Sequence, residues 1–279
     1  MSNNRIGFIG GGNMTRAIVG GLLADGFAAR QIFIADPNNV QRNTLRDDFP
    51  GITVAADNGQ LATQSDCLVL AVKPQVLRDV CLALAPGVQS RQLLFVSIAA
   101  GVRSSDIDAW LGGDQAIVRA MPNQPALLRR GISGVFANER SSEEQRAMAI
   151  SVLSAVGPVI AVEREAEIDA VTAVSGSGPA YFFLLIDMLA STGAELGLDE
   201  SAARQLAIQT AVGAAALADH TDDSMEELIA RVRSPGGTTA AALDSLDDDR
   251  TRDIFRRAVT AARDRATELA DAAHNQSQD

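Results

Sequence analysis

The 279-residue chain is poor in several residues that protein chemistry leans on: two cysteines, two histidines, one tryptophan, one tyrosine and a single lysine, Lys73. Two cysteines, Cys67 and Cys81, cannot frame a disulfide-stapled fold, and their apolar surroundings predict reduced core thiols. His220 and His274 lie away from every motif, which disfavours a histidine general base, a Ser-His-Asp triad or a histidine metal site. No acidic cluster has metal-ligand spacing, so no metal is expected; Asp247–Asp249 reads as a solvated turn and Trp110 as packing. No uninterrupted apolar run reaches the roughly 18–20 residues of a membrane helix. The start, MSNNRIGFIGGGNM, lacks the basic and then apolar pattern of a secretory leader. A cytoplasmic protein with no membrane partner is the expectation. A basic surplus is also missing. The formal net charge of −11 leaves nothing to replace phosphate counterions, so no nucleic-acid partner is expected. The lack of lysine beside plentiful arginine is what GC-rich codon usage produces, and by itself it carries no function.

What is present is an ordinary globular balance, 47% hydrophobic and 21% charged, over a length sufficient for two domains. The first half alternates short apolar runs with helical stretches. Strands are expected near Arg5–Ile9, Gln31–Ala35, Cys67–Val72, Leu93–Ile98, Ala116–Met121, Ile132–Ala137 and Val159–Val162. Runs without polar alternation suit a parallel sheet covered on both faces. Helices are expected over Met14–Leu23, ended by Gly26, and near Ser142–Ser154, opening with a serine and early glutamates. From Arg164 onward only helical periods appear. The expected architecture is α/β: a Rossmann-like doubly wound sheet domain over residues 1–163, followed by an all-helical dimerisation domain over 164–279. Within the latter, Ala180–Ala190 is apolar at every position except Asp187. A helix apolar all round must be covered all round, which implies a second subunit.

The motifs sit where strands meet helices. Gly10, Gly11 and Gly12, with Asn13, Met14 and Thr15, follow the first strand and open a helix; the glycines permit a tight turn and close approach of N–H groups to a pyrophosphate. Thr15 stands where the fingerprint usually has Gly or Ala. Asp36 ends the second strand, where an acid binds ribose hydroxyls and favours NAD; Arg42 could turn in toward a 2′-phosphate, but reads more simply as a solvated helix residue. On this chemistry the choice between NADPH and NADH is open. Ala71, Val72, Lys73 and Pro74, then Ser97–Gly101 with Ala99, then Met121–Pro125, end three further strands. In the helical half, Ser175–Pro179 reads as a helix start capped by Ser177 or Gly178, with Pro179 in the first turn. Ser234-Pro235-Gly236-Gly237-Thr238-Thr239 also precedes a helix, where free N–H groups suit a carboxylate and a threonine hydroxyl can bond a ring nitrogen.

FIGGGNM (8–14), AVKPQ (71–75), SIAAG (97–101), MPNQPALL (121–128), AVSGSGPAYFFL (173–184) and SPGGTT (234–239), in order and in register from Arg5 to Leu269, together resemble the pyrroline-5-carboxylate reductase family. The resemblance implies NAD(P)H-dependent reduction of a cyclic imine, 1-pyrroline-5-carboxylate, to L-proline, the last step of proline biosynthesis. It implies cofactor contacts from Gly10, Gly12, Asn13, Met14, Asn58, Ala71–Pro74 and Ala99. It places Ser234, Gly236, Gly237 and Thr238 on the substrate and gives Thr239 the ring nitrogen, with a catalytic role. It also implies a homo-oligomer: an interlocked dimer, often built into a decamer. Gln124 stands where the family usually has threonine, and Asp36 bears on the family's usual NADPH preference. The 3-hydroxyacid dehydrogenases share the glycine-rich start but need a lysine after a G-x-G segment, and Gly176–Ala190 has none. A dinucleotide sensor without turnover would explain the glycine loop but not SPGGTT.

Overall fold

The computed structural model describes residues 4–89 and 91–275. Its contacts define two compact units: Gly178–Ala261, and the remainder up to Ser177 together with the stretch from Ala262 onward. This differs from a division at Glu163/Arg164, for a physical reason. The short helix after residue 164 packs on the sheet, and the last helix returns to the first unit.

In the first unit the chain runs β1 (Ile6–Ile9), α1 (Asn13–Ala24), β2 (Ile32–Ala35), α2 (Asn39–Asp48), β3 (Thr53–Ala55), α3 (Asn58–Gln64), β4 (Cys67–Leu70) and α4 (Pro74–Val88). It continues through β5 (Leu94–Ser97), α5 (Ser104–Trp110), β6 (Ala116–Met121), β7 (Ser133–Ala137), α6 (Glu143–Ser154), β8 (Val159–Ala161) and α7 (Glu167–Val171). The eight strands form one sheet in the order β3-β2-β1-β4-β5-β6-β7-β8. All pairs are parallel except β6–β7. Strand order reverses between β1 and β4, and that crevice is where open α/β sheets take their ligands.

Each central strand is buried on both sides, which is why it reads as a solid apolar run. Phe8, Ile34, Val69 and Val96 face α1 and α6, whereas Phe33, Leu68, Leu70 and Phe95 face the layer of α3, α4 and α5. The two cysteines lie in opposite layers, Cys67 in the first and Cys81 in the second. Burial pushes both thiols up to about 12, with the Asp66 charge adding to the effect at Cys67. Trp110 is buried, as packing requires. Gly26 ends α1 with a positive φ of 83°, and Ser142 forms a capping box with Gln145.

The segment at Ser175–Pro179 departs from the expected free helix start. Helix begins earlier, at Glu167, and passes through a π turn over Thr172–Gly176 before α8 (Gly178–Glu195). Gly176 packs on Met121 and Asn123 Nδ2 donates to the Ser175 carbonyl at 3.1 Å, so tertiary contact holds the wider turn. The run Glu167–Glu195 is long and apolar enough to cross a membrane by composition, though Asp169 and Asp187 interrupt it.

The second unit holds α8 with α9 (Glu200–Asp219), α10 (Met225–Val232), α11 (Thr238–Asp248) and the start of α12 (Thr251–Asn275). Helix α8 ends in a Schellman motif at Gly197, whose φ is 99°. There the Leu198 N–H donates to the Gly193 carbonyl and the Gly197 N–H to that of Ala194. Asp247 and Asp248 close α11 and Asp249 begins the turn after it, all three exposed. On α8 the side chains of Phe182, Phe183, Leu184 and Met188 are all more than half exposed. The end of α12 belongs to the first unit: Asp271 pairs with Arg103, and His274 Nδ1 lies 2.6 Å from the buried Asp106 carboxylate.

Gly21 marks the tightest approach of α1 to the turn after α6, since a Cβ there would stand 2.2 Å from the Ala155 carbonyl oxygen. In an exposed helix Gly→Ala gains up to about 1 kcal/mol. Gly21→Ala is expected to destabilise instead, by about 1–3 kcal/mol, because a backbone carbonyl cannot yield as a side chain does. A lowered urea midpoint of unfolding checks this.

Candidate active site

The carboxyl edge of the sheet gathers the ends of the six parallel strands β1 to β6. After β1, Gly10 takes a φ of 98°, and its N–H donates to the Ala35 carbonyl at 2.8 Å. A Cβ on Gly10 would stand 2.6 Å from the Ala71 carbonyl oxygen and 3.2 Å from Val72 Cγ1. Gly11 is hemmed in by Leu45, Asp36 and Gln41. Gly12 differs: a Cβ there meets nothing within 4 Å. It is the N-cap of α1, and no side chain caps that helix.

Three side chains whose bracing role sequence reasoning did not find hold this loop in place. The Asp36 carboxylate accepts from the Gly11 N–H at 2.8 Å, Gln41 Nε2 donates to the Gly11 carbonyl, and the buried Thr15 hydroxyl donates to the Gly10 carbonyl at 2.6 Å. Thr15, an odd residue for the fingerprint, is thus the loop's internal brace. Its position one turn into the helix was the only available hint.

The other expected cofactor residues lie along the same edge. Ala71 follows β4, and its N–H donates to the Ile9 carbonyl. Lys73 is the exposed N-cap of α4, with Pro74 at the first helical position and no side-chain cap. Asn58 begins α3 immediately beyond β3, and Ala99 is buried after β5. Asn13 and Met14 open α1.

Helix starts divide into two kinds. Asn38, Asp57, Ser142, Asp199 and Ser224 cap α2, α3, α6, α9 and α10 with their own side chains. At α10 the Ser224 N–H and hydroxyl bind Glu227, and the N–H bond foremost holds that carboxyl below its usual range. The start of α5 is served by Glu165, which takes the Ser104 N–H at 2.6 Å and also pairs with the buried Arg119. By contrast α1, α4 and α11 open with no side-chain cap and no acid in the first turn. Bare N–H groups with helix partial charge behind them are an anion site. At α1 the open space before Gly12 fits a dinucleotide pyrophosphate.

Within the second unit, Ser234–Thr239 joins α10 to α11. Gly236 has a φ of 70°, and Gly237 is the N-cap of α11, its N–H donating to the Ser234 carbonyl at 3.0 Å. A Cβ on Gly237 would stand 2.3 Å from Ser234 Oγ. Thr238 is exposed and Thr239 half-buried in the first turn. Such a start suits a small carboxylate. Among the described residues no group of three or more His, Cys, Asp and Glu side chains could hold a metal ion.

A parallel sheet with a glycine-led, uncapped helix at its switch point and an acid at the next strand end defines a Rossmann-like dinucleotide-binding protein. Residues 5–101 match the family described as NADP oxidoreductase coenzyme F420-dependent, and residues 165–269 match pyrroline-5-carboxylate reductase dimerisation. A pyrroline-5-carboxylate reductase from Pseudomonas aeruginosa is 46% identical, the alignment covering 97% of this chain and 98% of the relative. The structure of a pyrroline-5-carboxylate reductase from Coxiella burnetii superposes with a TM-score of 0.93 at 41% identity, covering 96% of this chain and 99% of that one. The Plasmodium falciparum enzyme with NADP bound gives 0.84 at 27% identity, covering 97% and 99%. The chain belongs to the pyrroline-5-carboxylate reductase family, a family of NAD(P)-dependent oxidoreductases.

Gly12→Ala separates binding from folding. With space for its Cβ, the variant is expected to keep its unfolding midpoint, yet to bind NADPH about tenfold or more weakly, as an obstructed charge-assisted contact implies. A urea unfolding curve checks the first expectation and fluorescence titration of the nucleotide the second, each against the wild type.

Proposed function

We propose that this chain reduces 1-pyrroline-5-carboxylate to L-proline with NADPH or NADH, the final step of proline biosynthesis. One observation carries the reading: the bare helix starts at α1, α4 and α11 coincide with the glycine loop, the AVKP turn and the SPGGTT loop of a full-length family match.

When bound, the dinucleotide supplies a hydride to the imine carbon of the protonated ring. The chain's own task is binding and alignment. Gly10 makes the tight turn, its own N–H spent on the Ala35 carbonyl, and the N–H groups of Gly12, Asn13 and Met14 hold the pyrophosphate, with Ala71, Val72, Lys73, Pro74, Ala99, Asn58 and Asp36 along the remainder of the cofactor. The Gly236 N–H and the first turn of α11 hold the substrate carboxylate, with Gly237, its own N–H tied to the Ser234 carbonyl, and Ser234 and Thr238 shaping that loop. The Thr239 hydroxyl bonds the ring nitrogen and orients the ring. A protonated imine is already electrophilic, so positioning alone supplies on the order of 7–11 kcal/mol of the barrier. The loop holds no histidine, lysine or acid, which agrees with that division of labour.

In steady-state assays with pyrroline-5-carboxylate, both NADPH and NADH are expected to be oxidised. If Thr239 takes part in proton transfer, Thr239→Val costs about 10²–10⁴-fold in kcat. A rate within twofold of wild type removes that role, and nucleotide binding without oxidation favours a sensor instead.

The catalytic division follows the dimerisation match, which starts at residue 165: residues 1–163 take the cofactor and 164–279 the substrate and the second subunit. The exposed apolar side chains of α8 close against another copy, in an interlocked dimer built further into a decamer. Pairing with a second copy accounts for that stripe without a membrane, and the protein is cytoplasmic. Light scattering after size exclusion is expected to give a multiple of the dimer mass. Phe182→Glu combined with Leu185→Glu should yield monomers, and a monomeric wild type would overturn the assembly.

A further inference from the structure

The end of β2 holds two opposite charges that do not meet. The Asp36 carboxylate is engaged by two backbone donors, Gly11 N–H to Oδ2 and Asn38 N–H to Oδ1, both at 2.8 Å. Arg42, six residues on, is not directed into solvent. Its Nη1 donates to the Asp36 and Pro37 carbonyls, both at 2.8 Å, and its Nη2 to Asn39 Oδ1 at 3.1 Å. Among the described residues Arg42 has no carboxylate within ion-pair distance, and Asp36 has no cation. Most arginines of this chain pair with acids; Arg42, like Arg46 and Arg91, is instead held by carbonyls with its charge unmet, and of these three it is the one bound to the end of β2. Its Nε–H and one Nη2–H are unspent.

The position gives this a consequence. The end of β2 beside the glycine loop is where an adenosine ribose lies in this type of sheet, with an acid there accepting the ribose hydroxyls and an arginine accommodating a 2′-phosphate. The two residues are usually alternatives, and this chain has both. We propose that Arg42 is the residue that recognises the 2′-phosphate of NADPH, while Asp36 accepts the free ribose hydroxyls of NADH, so that one site serves both cofactors. The carbonyls of Asp36 and Pro37 and the Asn39 amide hold the guanidinium plane ready, which suits a forked donor to phosphate oxygens. The Asp36 carboxylate faces the Gly11 and Asn38 N–H groups. Its repulsion of a 2′-phosphate is thereby met in part by backbone donors and offset by the neighbouring cation.

This rests on the proposed function, and its test reads binding rather than turnover. NADPH and NADH are each titrated alone into the full-length protein by calorimetry. Wild type is expected to bind both, and NADPH affinity should fall more steeply with added salt. Arg42→Gln should weaken NADPH by about tenfold or more, through loss of a charged hydrogen-bond pair, while NADH stays within twofold and the extra salt dependence disappears. Arg42→Lys keeps the charge without the fork and should fall between the two. Asp36→Asn should weaken NADH and tighten NADPH. Arg30→Gln, an exposed cation at the opposite end of β2, should change neither. Loss of both nucleotides alike in Arg42→Gln, or of neither, overturns the assignment, as does equal salt dependence in the wild type. If wild type binds neither nucleotide, the cofactor reading itself falls with it.

Discussion

The left-handed turn at Gly10 is the constraint on which the cofactor edge depends. Only a residue without a Cβ can hold a φ of 98° there and pass so close to the Ala71 carbonyl. Because it does, β1 and β4 end side by side at the switch point, and the chain turns at once into α1. A bulkier residue would push the loop off β4 and with it the N–H groups of Gly11 to Met14. The side-chain braces follow from this placement. Thr15 ties the turn from within, while Asp36 and Gln41 reach across from the end of β2 and from α2. The loop is thus held on the sides facing β4, β2 and α2, and is open at Gly12, where a Cβ would meet nothing within 4 Å.

Capping follows the same logic. A helix start left without partners costs free energy, and five helices in the described residues begin with a capping Asn, Asp or Ser to avoid it. Leaving α1, α4 and α11 bare forgoes about 1 kcal/mol each, the ordinary worth of a cap. An anion bound there would restore it. The α5 start shows how the protein behaves when no ligand is wanted. Glu165 fills it, and Arg119 beneath neutralises the acid.

Much of this was legible from residue order, and the parts that were not share a cause. The central strands could be read because a strand buried on both faces must be apolar throughout; β3 could not, since three residues at the sheet edge, none fully buried, leave no such run. The glycine loop and SPGGTT announced themselves through residues that only a special backbone needs. The work of Thr15 and Gln41, by contrast, is side chain to backbone, and Gln41 acts across thirty residues without periodicity. The π turn at Thr172–Gly176 likewise follows from packing against Met121 and Asn123, not from helix propensity. The boundary at Glu163/Arg164 tracks a change in composition. The compact units track contacts, and α7 and the end of α12 stay with the sheet because of Asp169, Asp271 and His274.

Charge placement sharpens the role of single cations. Residues 1–163 carry 14 basic and 14 acidic side chains, while 164–279 carry 10 and 21, so the whole surplus of −11 lies in the second stretch. A neutral stretch has no long-range field with which to gather an anionic dinucleotide, and at physiological salt anything beyond about 8 Å is screened in any case. Capture then falls to bare N–H groups and to cations that no acid has already neutralised. Exposed pairs such as Arg250–Asp253 or Arg265–Glu268 have their charge met locally and contribute little beyond it. Lys73 and Arg42 stand apart from them, both at the carboxyl edge of the sheet and neither in an ion pair among the described residues. In a chain whose other 23 basic residues are arginine, codon usage explains the rarity of lysine. It does not explain why the one that remains caps a bare helix start within the cofactor edge.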